Sequence, residues 1–298
     1  MYIADVFSES ELRAFGAEIP FSFRAHTTIG VGGDAEAALY PATAEGFSFA
    51  VSRLRSAGIA FLVLGKGSNV LASDAGYRGV VLRTDRMRSL TLTEQGILAQ
   101  CGVGVGSLLR FAAENGRGGL HFLAGIPASV GGAAFMNAGA CGRYIGETIR
   151  CVTALCGESA HVFSADECAF SYKHSLFMEQ PFYILSVEFM TEFGEKKSIL
   201  RGIDRVICAR DRLPRGKSMG CVFKNPPDVS AGTLIEQAGL KGASVGDAVV
   251  AQEHANFILN RGKASAAQIR ELVETIRMRV YAVSGVWLEE EIRYIGEF

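Results

Sequence analysis

Neither sign of charge prevails in this chain: 30 Lys and Arg stand against 31 Asp and Glu over 298 residues, a formal net charge of −1. With no cation excess to neutralise a phosphate backbone, nucleic acid is not expected as a partner. Histidine is scarce, and His26, His121, His161, His174 and His254 stand singly, so no metal site is expected. Cysteine occurs seven times, at Cys101, Cys141, Cys151, Cys156, Cys168, Cys208 and Cys221, with no C-x-x-C pair. An odd number without that spacing argues against a disulfide framework and fits reduced thiols in a cytosol. The opening residues carry Asp5 and Glu9 and lack the basic, apolar, small-residue order of a secretory signal, so a cytoplasmic protein is expected.

One uncharged segment, residues 122–142, has about the length that crosses a bilayer. Gly125, Pro127, Gly131, Gly132, Asn137 and Gly139 lower its apolarity and break helical regularity, which favours a buried, close-approach loop over a membrane span. What the chain does have is apolar material for real cores, 49% against 20% charged. Single cores stop growing near roughly 250 residues, so two or three domains are expected.

Periodicity organises the rest. A strand at residues 36–40 is followed by a helix that Thr43 caps, with Phe47, Ala50, Val51 and Leu54 at helical spacing. Apolar strands follow at 61–64 and 79–82, then a middle region with a strand at 91–93, a helix at 107–114 capped by Ser107, and a strand at 183–189. A basic stretch with Pro214 and Gly216, residues 201–217, reads as a linker. Beyond it the order is β-α-β-β-α-β: strands at 220–225, 247–251, 255–259 and 286–295, and helices at 232–238 and after Ser265. Ser265 and Gln268 form a capping box ahead of a stripe of Ile269, Leu272, Val273, Ile276 and Val280. In the last strand a period of two puts Leu288, Glu290 and Ile292 on one face and Glu289, Glu291 and Arg293 on the other.

Chemistry-bearing motifs sit on this frame. Gly65-Lys66-Gly67-Ser68-Asn69 ends an apolar strand and is either an anion-binding nest of backbone N–H groups or a plain tight turn. Gly102-Val103-Gly104-Val105-Gly106 fails the dinucleotide fingerprint at Ser107 and reads as a turn before a helix. Ala124-Gly125-Ile126-Pro127, with Ser129, Gly131-Gly132-Ala133 and Asn137-Ala138-Gly139, is dense enough in small residues for backbone to approach a flat ligand; a Gly/Ala packing seam is the alternative. Cys221 stands beside Lys224 and Asn225, a thiol near a cation and an amide, as an anionic-substrate site requires; a small packed hydrophobe is the plainer reading.

Of these, residues 64–69, 124–142 and 220–226, with His26-Thr27-Thr28-Ile29-Gly30-Val31-Gly32-Gly33, Tyr172-Lys173-His174-Ser175-Leu176-Phe177, His254-Ala255-Asn256-Phe257 and residues 288–296, together resemble one family, UDP-N-acetylenolpyruvoylglucosamine reductase. The resemblance spans nearly the whole chain. It implies an α+β protein: a two-domain FAD-binding module of the vanillyl-alcohol-oxidase/PCMH type, at residues 1–85 and 86–200, and a substrate domain at 201–298. FAD, held non-covalently, would contact Gly65 to Asn69 and the small-residue run; NADPH would reduce it, and an enolpyruvyl UDP-sugar would then accept the hydride.

The family's proton donor is usually a serine and falls here at Cys221, a thiol whose ordinary pKa of about 8.5 makes it the stronger acid. Its glutamate falls at Glu291. Its arginine falls at Lys173, which keeps the charge and loses the bidentate fork. The short stretch after Phe177 resembles the family's second type, without the inserted tyrosine loop, which leaves diphosphate contacts to Lys224, Asn225 and Arg212. A monomer is favoured. Two alternatives stay open: an oxidase on the same FAD scaffold, and a catalytically silent flavin or nucleotide-sugar binding protein.

Overall fold

The computed structural model describes residues 3–298; residues 1 and 2 of the opening segment read for a secretory signal lie outside the described residues. The chain divides into two compact units. The first takes Met1–Glu18, Ala38–Lys66 and Val80–Arg210, and the second takes Ile19–Ala37, Gly67–Gly79 and Asp211–Phe298.

In the first unit the helix Ala44–Ser56 forms as its pattern demands. Thr43 accepts the Gly46 N–H at 3.1 Å, and Phe47, Ala50, Val51 and Leu54 are its buried residues. The strand Phe61–Leu64 pairs in parallel with residues 80–83. Five antiparallel strands build the main sheet, in the order Ser159–Ser164, Ile149–Cys156, Phe182–Met190, Gly96–Gln100, Leu90–Leu92. The helix Val105–Glu114 buries Val105, Leu108, Leu109, Ala112 and Ala113. Its N-cap is Gly104 and not the expected Ser107, because the Val105 N–H already bonds the Ala128 carbonyl at 3.0 Å and the helix starts there.

The stretch read as a linker from residue 201 is largely helix, Lys196–Arg210. Ile199, Ile203 and Val206 recur at helical spacing, a stripe that the surrounding Lys and Arg obscure in the sequence. Two short N-terminal helices, Ile3–Val6 and Glu9–Phe15, went unread; the second carries a full capping box from Ser8 and Glu11. The uncharged run at 122–142 has one short α-helix, Val130–Phe135, and a two-residue strand, Gly139–Ala140, and among the described residues no helix is long and apolar enough to cross a membrane.

The second unit is a four-stranded antiparallel sheet, ordered Lys217–Cys221, Phe257–Asn260, Ala248–Val250, Ser244–Val245, with the helices Ala231–Gln237 and Ala266–Ser284. Ile269, Leu272, Val273, Ile276 and Val280 join its core, as their spacing predicts. The Ser265–Gln268 capping box is present, and the Asp74 carboxylate adds two bonds, accepting the Ala266 and Ala267 N–H groups at 2.9 and 3.0 Å.

Two strands are shorter than their sequence pattern. The strand expected at 220–225 is Lys217–Cys221, because a register shift between Ser218 and Cys221, with Gly220 at φ 78°, ends the ladder. The strand expected at 286–295 is one bridge, Glu290 opposite Phe223, followed by Arg293–Ile295. The segment changes partners on the way: it meets residues 222–224 antiparallel and then Val70–Ala72 in parallel, so no single ladder runs through it and the last strand does not join the four-stranded sheet. The expected alternation survives, with Leu288 at 0% and Ile292 at 5% exposure.

Candidate functional site

The first unit holds Gly65, Lys66, the small-residue run and Lys173. The strand Phe61–Leu64 delivers Gly65 against Ser129: a Cβ on Gly65 would lie 2.4 Å from the Ser129 hydroxyl. Ser129 caps the helix Val130–Phe135 by accepting the Gly132 N–H at 3.3 Å. Behind that helix start, Val130 and Gly131 donate to the Val103 and Cys101 carbonyls at 2.7 and 2.8 Å. A Cβ on Gly131 would stand 2.7 Å from that of Cys101, and one on Gly139 2.6 Å from the Arg143 carbonyl oxygen, so at these positions the packing-seam reading applies. Burial pushes the Cys101 thiol up to about 12, which leaves it a packing group.

Lys66 is exposed at the strand's end, its Nζ 4.0 Å from Asp85. Burial alone would raise the Asp85 carboxyl, but the 2.7 Å bond from the Arg83 guanidinium and the nearby Lys66 and Arg88 outweigh it and hold the group below the usual carboxylate range. Lys173 stands at the tip of a tight turn, at φ 56°, closed by reciprocal Ser171–His174 backbone bonds of 3.2 and 3.1 Å. Asn137 supports this turn, its Nδ2 donating to the Ser171 carbonyl at 2.7 Å and its Oδ1 accepting the Gly146 N–H at 3.0 Å. Ser175 bonds the Phe135 carbonyl at 2.7 Å, which ties the turn to the end of the small-residue helix.

The second unit holds Gly67, Ser68, Asn69, Arg212, Cys221, Lys224, Asn225 and Glu291. Cys221 ends its strand at the register shift, half-buried against Ala251, Phe257 and Leu259. The next three residues lie between two rails. On one side Asn256 accepts the Phe223 N–H at 2.9 Å, donates to the Phe223 carbonyl at 2.8 Å, and takes the Val222 N–H on its own carbonyl at 2.9 Å. On the other side Glu291 donates its N–H to the Val222 carbonyl at 2.8 Å, and Lys224 donates to the Glu289 carbonyl at 2.8 Å. Cys221 and Glu291, seventy positions apart in the chain, are therefore carried on directly bonded backbone segments.

The other candidates in this unit have definite partners or positions. Lys224 ion-pairs with Glu289, Asn225 accepts the Ala231 N–H at 3.0 Å, and Arg212 lies exposed before the first strand of the sheet. Glu290 is held by Arg277 at 2.9 Å. Sequence reasoning gave no role to Asn256 or Thr28. Both lie in quoted motifs, but only the fold shows that Asn256 clasps Phe223. Thr28 donates its hydroxyl to the Ser218 carbonyl at 2.6 Å and its N–H to the Gly67 carbonyl at 3.1 Å.

The residues present fit a flavin nucleotide. In the loop Gly65-Lys66-Gly67, Gly65 packs at Ser129 and Gly67 at the His26 carbonyl (2.6 Å from a built Cβ), so neither presents a side chain that would hold a phosphate or flat ring off. Among the described residues no group of three or more His, Cys, Asp or Glu is arranged to hold a metal ion.

Comparison with known proteins agrees with both halves of this picture. Residues 35–160 match the model of an FAD binding domain, and residues 211–295 match that of the C-terminal domain of UDP-N-acetylenolpyruvoylglucosamine reductase. The chain is 38% identical over 277 residues to that reductase from Heliobacterium modesticaldum, covering 91% of this chain and 88% of the relative. It is 39% identical over 275 residues to that from Moorella thermoacetica, covering 91% of each. The crystal structure of the enzyme from Thermus caldophilus superposes with a TM-score of 0.81 at 34% identity, covering 94% of this chain and 98% of that one.

Proposed function

The chain belongs to the UDP-N-acetylenolpyruvoylglucosamine reductase family, and on that footing we propose that Cys221, Glu291 and Lys173 carry its chemistry. The reaction is the FAD-dependent reduction, by NADPH, of the enolpyruvyl ether of UDP-N-acetylglucosamine to UDP-N-acetylmuramate, a step of peptidoglycan synthesis. FAD, when bound, supplies the two-electron carrier between NADPH and the terminal vinyl carbon. Gly65 to Asn69 and the run from Ala124 to Gly139 are the residues that would hold it.

The Cys221 thiol gives the neighbouring carbon its proton, so that one hydride and one proton saturate the double bond while NADPH leaves as NADP+. Glu291, in its acid form, donates a hydrogen bond to the substrate carboxylate, on whose oxygens the extra electron pair is delocalised before protonation. Lys173, at the position of the family's arginine, supplies positive charge for the same group. Lys224, Asn225 and Arg212 are assigned to the UDP diphosphate. The observation that carries this reading is the pairing of the Cys221 and Glu291 segments, with the Glu291 N–H on the Val222 carbonyl at 2.8 Å. Neither an oxidase nor a silent binding protein gives thiol and carboxylate a shared task, and the C-terminal match is to the reductase's own domain.

Because its substrate and reductant are soluble metabolites of the cell interior, we place the enzyme in the cytoplasm, and we infer a monomer, which sedimentation checks. The activity is tested by adding NADPH anaerobically to the yellow protein and then the enolpyruvyl substrate. Bleaching followed by recolouring only on addition of substrate is expected; a protein that never bleaches is not this reductase.

A further inference from the structure

We propose that Asn69 is a positioning residue for Glu291, its side-chain amide holding the Glu291 backbone beside the Cys221 segment. The inference rests on the role given to Glu291 above. Glu291 lies two residues before a short ladder, the pairing of Arg293, Tyr294 and Ile295 with Val70, Leu71 and Ala72. Two-stranded pairing of that length is marginal by itself. Both polar groups of the Glu291 backbone are nonetheless engaged. Its N–H donates to the Val222 carbonyl at 2.8 Å, and its carbonyl accepts from Asn69 Nδ2 at 3.0 Å. The Asn69 carbonyl in turn accepts the Arg293 N–H at 3.0 Å, so Asn69 grips the chain on both sides of Ile292.

The same loop also reaches the thiol strand. The Gly67 carbonyl accepts the Thr28 N–H at 3.1 Å, and the Thr28 hydroxyl donates to the Ser218 carbonyl at 2.6 Å, three residues before Cys221. Gly67, Ser68 and Asn69 are thus tied to the Cys221 strand through Thr28 and to the Glu291 segment through Asn69. The chemistry of position 69 is specific: the side chain must donate while the backbone accepts. Alanine leaves the Glu291 carbonyl without its donor, and aspartate sets a carboxylate against it. A misplacement of about 1 Å in such a group costs on the order of 10²-fold in rate.

The test compares Asn69→Ala, Asn69→Asp, Glu291→Gln and the Asn69→Ala/Glu291→Gln double variant, each as full-length holoenzyme. Flavin content, anaerobic bleaching by NADPH and recolouring by the enolpyruvyl substrate are measured separately, and hydrogen exchange of the Glu291 and Arg293 amides is followed in the flavin-free protein. Per bound flavin, recolouring is expected to slow about 10- to 100-fold in Asn69→Ala and further in Asn69→Asp, well beyond any change in bleaching, with faster exchange at both amides. The double variant is expected to be no slower than Glu291→Gln alone, as for two groups acting through one contact. An equal fall of both half-reactions per bound flavin overturns the proposal and leaves Asn69 a cofactor group only; unchanged recolouring overturns it as well. Glu291→Gln alone reports on the parent assignment, so failure there is distinguishable from failure of the clamp. If Asn69→Ala does not fold, Asn69→Ser, with a shorter donor, must show the same split between half-reactions.

Discussion

Most backbone N–H groups of the small-residue run of the first unit bond near neighbours, Val130 and Gly131 excepted, whereas the Cys221 and Glu291 segments of the second are held by groups far away in the chain. In the run, Ala124 donates to His121, Ile126 to Leu123, Ala133 to Ser129, Asn137 to Ala134 and Ala138 to Ala133. In the second unit, Phe223 is clasped by Asn256 from 33 positions away, and Glu291 by Asn69 from 222 positions away. A locally closed segment shows its nature in composition. A segment closed by distant partners shows its residue types but not which of them meet.

Cys221→Ala has the largest effect expected: bleaching by NADPH persists while recolouring by substrate falls by about 10²- to 10⁴-fold, the usual worth of a positioned proton donor. Cys221→Ser, which restores the family's usual donor, is expected to recover most of the rate. Equal loss of both half-reactions in the alanine variant would mean that the thiol only packs, and would erase the contrast between the two units.

The next effect is on stability and belongs to the first unit. Arg83 is buried, with a side chain 6% exposed, and Asp85 at 19% is its partner. Removing one member of a buried pair costs about 3–5 kcal/mol, and Asp85→Asn is placed at the lower end because Asp85 keeps some water contact. The sign of the pH dependence follows from the lowered carboxyl pKa: the contribution is complete above the unfolded value of about 4 and is lost as the pH falls through the folded one. Urea titrations should therefore show the variant's deficit at pH 7 and its disappearance in acid. A deficit that persists unchanged in acid would assign the loss to packing.

Two smaller changes probe local against distant closure directly. Gly131→Ala gains about 1 kcal/mol of helix propensity but forces a Cβ to 2.7 Å from that of Cys101. Overpacking costs about 1–3 kcal/mol, so a net loss is expected; a neutral or raised melting temperature would show that the seam yields. Asp74→Ala removes two of the bonds at the start of the helix Ala266–Ser284 and is expected to cost about 1 kcal/mol, since the Ser265–Gln268 box remains. No change by thermal melting would leave the box sufficient by itself.

Legibility in the sequence tracked the range of the interactions. The Ser265–Gln268 capping box, the stripe from Ile269 to Val280 and the strand Phe61–Leu64 were readable because each depends on spacing within a few residues. The helix Lys196–Arg210 was not, since its stripe is thin and buries only Val206. The final strand was over-read, because the alternation of Leu288, Glu290 and Ile292 reports burial and not pairing. Of the candidate site, the residue types at 173, 221 and 291 were readable by resemblance, while Asn256 and Thr28 had no local signal that distinguished them from other polar residues.

By itself the sequence determined the cofactor class, through its resemblance to the reductase family, and most of the elements, because helical or strand period is a property of adjacent residues. Only the tertiary structure decided that Glu291 lies against the Cys221 segment, that Asn256 and Asn69 hold the two, and that Gly131 is a packing residue. Those facts depend on which backbone groups meet across the fold, and hydrogen-bond partners brought together from opposite ends of a chain leave no period in it.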